Sequence, residues 1–275
     1  MPDRPDAEQV GDGGTVLFDG DHVDHPPAPG GSCQTRGAAT SGSRELGGVR
    51  VQVQMRHQPS FTVARLALAP QEPVQVEAGG MVATSYGVQM QSQAQGGLMK
   101  GLGRAVLGGE SLFVSTFTAP PNGGWVDVAP GLPGDVRIVE MDGRVGWCVT
   151  NGSWLANSHG ITLDTKWGGF GNLFGGEGGF LSHATGQGQL VVSCYGAMDL
   201  VTLQQGEMIT VDAGHVVAYA DSVQHQTRRI SSGMVQSLKS GEGLVFDFAG
   251  PGQVLTQTRD PSALLAWLVA RMPTR

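Results

Sequence analysis

Apolar and polar residues alternate strictly from position 49: Val49, Val51, Val53 and Met55 are separated by Arg50, Gln52, Gln54 and Arg56. A period of two sends successive side chains to opposite faces, so this stretch predicts a half-buried β-strand. The same alternation returns downstream, each time closed by turn residues. Leu68 is followed eleven residues later by Gly79, across APQEPVQVEA. Leu132 and Gly143 repeat that spacing across PGDVRIVEMD, and Leu203 and Gly214 across QQGEMITVDA. Each copy predicts a turn, an alternating strand and a second turn.

Three further stretches recur in the same order. AGGMVATSYGVQ starts at Ala78, NGSWLANSHGIT at Asn151 and AGHVVAYADSVQ at Ala213. The middle copy holds both Gly143 and Gly152, which predicts a hairpin insertion of about nine residues there. GESLFVSTFTA from Gly109, GEGGFLSHATG from Gly176 and GEGLVFDFAG from Gly241 form the next match. Glycine then precedes a β run at Gly124, Gly188 and Gly252, with sixty-four residues between successive copies. A unit this small buries too little apolar surface alone, so copies that pack together share a core. The expected architecture is all-β: three internally duplicated units in one pseudo-threefold body, at about 49–130, 131–202 and 203–258. Asp260-Pro261-Ser262 reads as an N-cap followed by proline in the first turn. It predicts a short C-terminal helix over 261–271, with Leu264, Leu265, Leu268 and Val269 on one face against the β core or a neighbouring subunit.

Composition agrees with this pattern. Glycine contributes 44 of 275 residues, about twice its usual share, and charged residues only 15%. Interior glycine weakens a helix by about 1 kcal/mol, which favours turn-rich β structure. Residues 1–48 hold ten glycines, five prolines and eight acids against three bases. They read as a flexible leader, with a short strand expected at Thr15–Phe18. The leader carries five of the seven net negative charges, so the remainder has no bulk attraction for phosphate. The opening MPDRPDAEQV has no apolar segment of a secretory signal, and the apolar run at 264–270 is far short of the roughly 20 residues that span a bilayer. A cytoplasmic protein is expected. Cys33, Cys148 and Cys194 lack paired spacing and read as inert thiols.

Several strings carry a family resemblance: AGGMVATSYGVQMQSQAQGGLMKGLGRAVLGGESLFVSTFTA, LPGDVRIVEMDG and NGSWLANSHGITLDTKWGGFGNLFGGEGGFLSHATGQGQLVV. Over about residues 49–258 the chain resembles the bacterial branch of the altered-inheritance-of-mitochondria-24 family. The resemblance implies three duplicated units, each similar to a subunit of the tryptophan RNA-binding attenuation protein, and self-association into a homotrimer. The fungal branch is tied to organisation of the mitochondrial inner membrane. No catalytic residues carry over.

The residues themselves argue against most chemistries. Asp19, Asp21, His22, Asp24 and His25 could chelate a divalent ion, but they fall in the leader, where nothing orients ligands; a solvated acidic segment is the reading. His57, His159, His183, His215 and His225 form neither HExxH nor HxH, and His159 and His183 stand where other copies have Tyr86 and Thr116. There is no GxSxG elbow, Walker loop or Rossmann fingerprint. Glu110, Glu177 and Glu242 recur once per copy, as turn residues do. Arg228 and Arg229 are the only adjacent basic pair, too little for an RNA-binding surface. No enzyme, cofactor or metal is expected.

Two glycine-apolar loops remain. The first carries Leu98, Met99, Leu102, Val106 and Leu107 with Lys100 and Arg104 opposite; the second carries Trp167, Phe170, Leu173 and Phe174 at the matching position. Such loops seal a subunit interface or meet a protein or membrane surface. The expected function is a non-catalytic oligomeric β scaffold that presents these loops. A small-ligand or enzymatic site at the pseudo-threefold axis and RNA binding are the alternatives.

Overall fold

The computed structural model describes residues 51–94, 113–164, 181–229 and 244–273. Among these residues the elements are eighteen β-strands, a 3-10 turn and one short C-terminal helix. The strand predicted by the opening alternation is β1 (Gln52–Arg56), which pairs with β2 (Val63–Leu68). In β2 the sequence VARLAL alternates half-buried and buried positions, as its period requires.

One pairing scheme accounts for the rest. The first six strands after β1 are β2, β3 (Pro73–Glu77), β4 (Met81–Thr84), β5 (Gln89–Ala94), β6 (Phe113–Thr118) and β7 (Gly124–Val128). Here β2 and β4 flank β7, while β3 and β5 flank β6, all antiparallel. Next come β8 (Val136–Asp142), β9 (Trp147–Thr150), β10 (Trp154–Ser158), β11 (Ile161–Asp164) and the long β12 (Leu181–Ser193). The second half of β12 takes β8 and β10; its first half takes β9 and β11. The last six are β13 (Met198–Leu203), β14 (Met208–Asp212), β15 (Val216–Ala220), β16 (Gln224–Arg229), β17 (Leu244–Ala249) and β18 (Gly252–Gln257). There β13 and β15 flank β18, and β14 and β16 flank β17.

The registers explain the glycines spaced by sixty-four. Gly124, Gly188 and Gly252 stand opposite Leu68, Met141 and Leu203. A Cβ at any of them would collide with a serine hydroxyl: Ser85, Ser158 and Ser222 respectively. Ser85 and Ser158 use those hydroxyls to accept the backbone N–H of Trp125 and Gln189. The residue in the leucine frame of the middle set is therefore Met141. Leu132 is exposed in a bend ahead of β8, whereas Leu68, Met141 and Leu203 are all buried. The expected nine-residue insertion is absent, because PGDVRIVEMD forms β8 rather than the strand after it. A similar Pro-Val-Glu pattern had placed it one strand late.

Burial is organised into two apolar clusters. One joins Leu66, Val74, Val76 and Phe117 to Leu155 and Ala156 of β10. The other spans the second and third strand sets, with Trp154, Leu190, Tyr219, Phe248 and Leu255. The clusters thus cross from one set into the next.

The helix α1 (Pro261–Val269) begins as expected, with the Asp260 carboxylate accepting N–H bonds from Ser262 and Ala263. It does not pack on the β core. None of its residues is fully buried, although its apolar residues lie all round it rather than in one stripe. No helix among the described residues is long and apolar enough to cross a membrane.

Candidate functional site

Two joints tie the strand sets into one ladder. At the first, β10 pairs with β3 through Ala156↔Val76, Asn157↔Gln75 and Ser158↔Val74. At the second, β15 pairs with β9 through Ala218↔Val149, Tyr219↔Cys148 and Ala220↔Trp147. In both, the third strand of one set meets the second strand of the set before it, in the same register.

Each joint is hydrogen-bonded across or beside its paired strands, the first in a buried setting and the second partly open at His183 and Asp221. Asn157 is fully buried. It accepts the Trp154 indole N–H at 3.0 Å, and its own N–H groups are shared among the Ser158 and Ile161 carbonyls and the Gln75 side-chain oxygen. At the second joint, the Thr150 hydroxyl lies 3.0 and 2.9 Å from the Val216 and Val217 carbonyl oxygens, either of which can accept its proton. Asp221 Oδ2 accepts the Gly146 N–H at 3.0 Å and lies 3.2 Å from His183 Nε2. The Tyr219 ring tilts against Phe248 at 5.1 Å, and its hydroxyl lies 3.4 Å from His225 Nε2. Burial raises the Tyr219 and Cys148 ionisation points, the thiol to about 11, and lowers that of His225. Burial also raises the Cys194 thiol to about 11. Such thiols stay protonated at neutral pH and are poor nucleophiles.

The same positions at the two ends of the ladder have no further neighbouring strand among the described residues. Strand β4 pairs with β7 and with no other described strand; β14 pairs with β17 alone. By register, Met81 and Val82 of β4 correspond to Trp154 and Leu155 of β10 and to Val216 and Val217 of β15. Met81 and Val82 are 42% and 57% exposed, against 2% and 0% for both counterpart pairs. Val211 of β14 is half-buried where Val76 and Val149 are fully buried. Tyr86 and Met208, beside these edges, are also exposed. Apolar side chains and unpaired backbone groups on one open edge form a template for another strand.

Strand β7, next to β4, is braced from within. Asp127 is buried and accepts from Arg65 at 2.7 and 2.8 Å and from Arg56 at 2.8 Å. The Arg65 guanidinium, aided by Arg56, holds this carboxyl below the usual carboxylate range despite burial. Glu77, at the end of β3 beside the first joint, is raised to about 7 by burial.

The loop residues expected to carry the site, Leu98, Met99, Lys100, Leu102, Arg104, Val106, Leu107, Trp167, Phe170, Leu173 and Phe174, lie outside the described residues. So do Glu110, Glu177, Glu242, the leader and its Asp19, Asp21, His22, Asp24 and His25 cluster. The described strands do fix where the loops are rooted. Residues 95–112, 165–180 and 230–243 each connect the fourth and fifth strands of a set. Among the described residues no group of His, Cys, Asp or Glu could hold a metal. Sequence reasoning missed the open edges. The aligned strings at Ala78, Asn151 and Ala213 carried the register, but nothing in them says which copies are terminal.

A family model described as mitochondrial biogenesis AIM24 matches residues 53–259, from β1 to just past β18. The chain belongs to the AIM24 family. An uncharacterized protein of Streptococcus pyogenes serotype M6 is 27% identical over 230 residues, covering 78% of this chain and 91% of its own length. A crystal structure of a Streptococcus pyogenes protein shares 25% identity with a TM-score of 0.67, over 81% of this chain and all of that one. The AIM24 match thus covers both joints and both open edges, and stops one residue before the cap of α1.

Proposed function

We propose that this AIM24 protein is a non-catalytic scaffold of three duplicated β units whose copies join head to tail, β4 of one against β14 of the next. The observation that carries the reading is the contrast in burial. Met81 and Val82 are exposed where their counterparts beside the internal joints are buried. Repeating the internal register would set Ala83 opposite Val211 and Thr84 opposite Thr210. A head-to-tail contact of this kind closes into a ring when its rotation permits. The homotrimer implied by the family resemblance is the closure adopted here. In such a body the three connections between fourth and fifth strands recur around the assembly. The apolar loops with Leu98–Leu107 and Trp167–Phe174 would then present a repeated docking face for a protein or a membrane surface.

Sedimentation velocity at micromolar concentration tests the reading. A trimer is expected; a monomer at that concentration removes the basis of the scaffold.

One observation favours a second reading. A cleft of about 510 Å³ lies beside the second joint, with Arg137, Glu140, Asp142, Trp147, Leu200 and Gln253 among its lining. Mixed charges beside an aromatic ring suit a small zwitterion. A metabolite that raises Tm for the native protein, but not for Trp147→Ala, would promote this reading.

A further inference from the structure

The C-terminal helix is a separate problem. None of its nine residues is fully buried; Leu264 is half-buried, and Leu265, Trp267, Leu268, Val269 and the following Met272 are exposed. A helix this short is marginal in water without a packed face. Its cap and proline start it; they do not cover it.

Its root is fixed beside an open edge. Asp260, the cap, packs on Gly214, in the 3-10 turn at Ala213–His215 directly after β14. A Cβ built on Gly214 would lie 2.6 Å from Asp260 Cγ. The internal joints indicate what reaches this turn. Gly80 follows β3 as His215 follows β14, and a Cβ on Gly80 would lie 3.1 Å from Leu155 Cδ1 of the next unit. Leu155 corresponds to Val82. A copy docked in the same register therefore brings its Val82 to His215, one residue from the glycine under the helix cap.

We propose that α1 is a clasp between copies: it folds over the Met81–Val82 end of β4 in the next copy and covers residues that β14 alone leaves wet. The inference rests on the head-to-tail reading. A second copy is the occupant because the helix root and the open edge are continuous, and because both surfaces are apolar. A lipid surface fits less well. Anionic membranes hold helices through several basic residues, and α1 has none, with Arg271 just beyond it lying over the Trp267 ring at 4.3 Å.

The test compares full-length protein, a chain ending at Arg259, and a Leu265→Glu/Leu268→Glu variant. Sedimentation velocity over a concentration series reads assembly, circular dichroism reads the β body, and flotation with phosphatidylserine-containing vesicles reads lipid binding. Self-association at least tenfold weaker in both variants, with the strand signal unchanged, is the expected result. Wild-type affinity in both variants overturns the clasp alone, as does unchanged assembly with loss of vesicle binding. A monomeric full-length protein overturns the clasp together with the head-to-tail reading beneath it.

Discussion

The second joint and the open edges are built from corresponding strands, yet they differ as a core differs from a surface. At the joint, Val216 and Val217 are buried and the Thr150 hydroxyl meets their carbonyls. At the open edges, Met81, Val82 and Met208 face solvent and Asp212 stands where Thr150 stands. Burial here belongs to the pair of strands rather than to the position. On the head-to-tail reading proposed above, the strands that look under-packed are those whose neighbour is another copy.

The largest expected effect separates the two regions directly. Trp154→Ala removes a buried indole and its bond to Asn157, and should cost about 4 kcal/mol of folding stability by urea unfolding. Its counterpart Met81→Ala should cost under about 1 kcal/mol in dilute monomer while weakening assembly. Equal costs would mean the edge is already covered.

The brace behind β4 comes next. Asp127→Ala leaves two guanidinium groups without their carboxylate and should cost about 3 kcal/mol. Because Arg65 and Arg56 hold Asp127 below the ordinary carboxylate range, this contribution is present above that range and is lost as pH falls through the lowered value. Wild-type and variant stabilities measured from pH 7 to pH 2 should therefore converge in acid.

Asn157→Ala should cost about 2 kcal/mol, since it strands the Trp154 N–H in a buried joint. Thr84→Ala, the matching change at the open edge, should stay within about 0.5 kcal/mol.

Glu77 gives a smaller effect than the joint residues and the opposite pH sense to Asp127. Its folded value of about 7 stands above the ordinary 4.5, so the protonated acid stabilises the fold at low pH. That contribution is lost as pH rises from the ordinary value through about 7. Glu77→Gln should raise stability by about 1–2 kcal/mol at pH 8, less than the full shift because the carboxyl is partly hydrated, and should change little at pH 4. Thermal melts at the two pH values check this.

Much of this ladder was legible in the chain itself. Alternation after positions 49 and 68 predicts β1 and β3, and the glycines at 124, 188 and 252 mark equivalent points in the pairing because each lies against a serine hydroxyl. The middle frame went astray because β8 and β3 share a Pro-Val-Glu pattern, and period two says which face a residue takes, not which strand it belongs to. Cross-set pairing and the exposure of α1 depend on three-dimensional neighbours, which no local pattern encodes. The candidate site shifted for the same reason: loops advertise themselves by composition, whereas an open edge such as MVAT is as apolar at its first positions as the covered WLAN and VVAY.

The most direct test uses two chains in a Cys33→Ser background, each with one added surface cysteine, Thr84→Cys or Thr210→Cys, mixed and mildly oxidised; the native Cys148 and Cys194 are buried in both. Directly opposed antiparallel residues have Cα atoms about 4.5–5.5 Å apart, within disulfide reach. The account expects a covalent dimer in the mixture and none in either chain alone. No cross-link in the mixture, or equal cross-linking of Thr84→Cys with itself, would contradict head-to-tail continuation of the sheet.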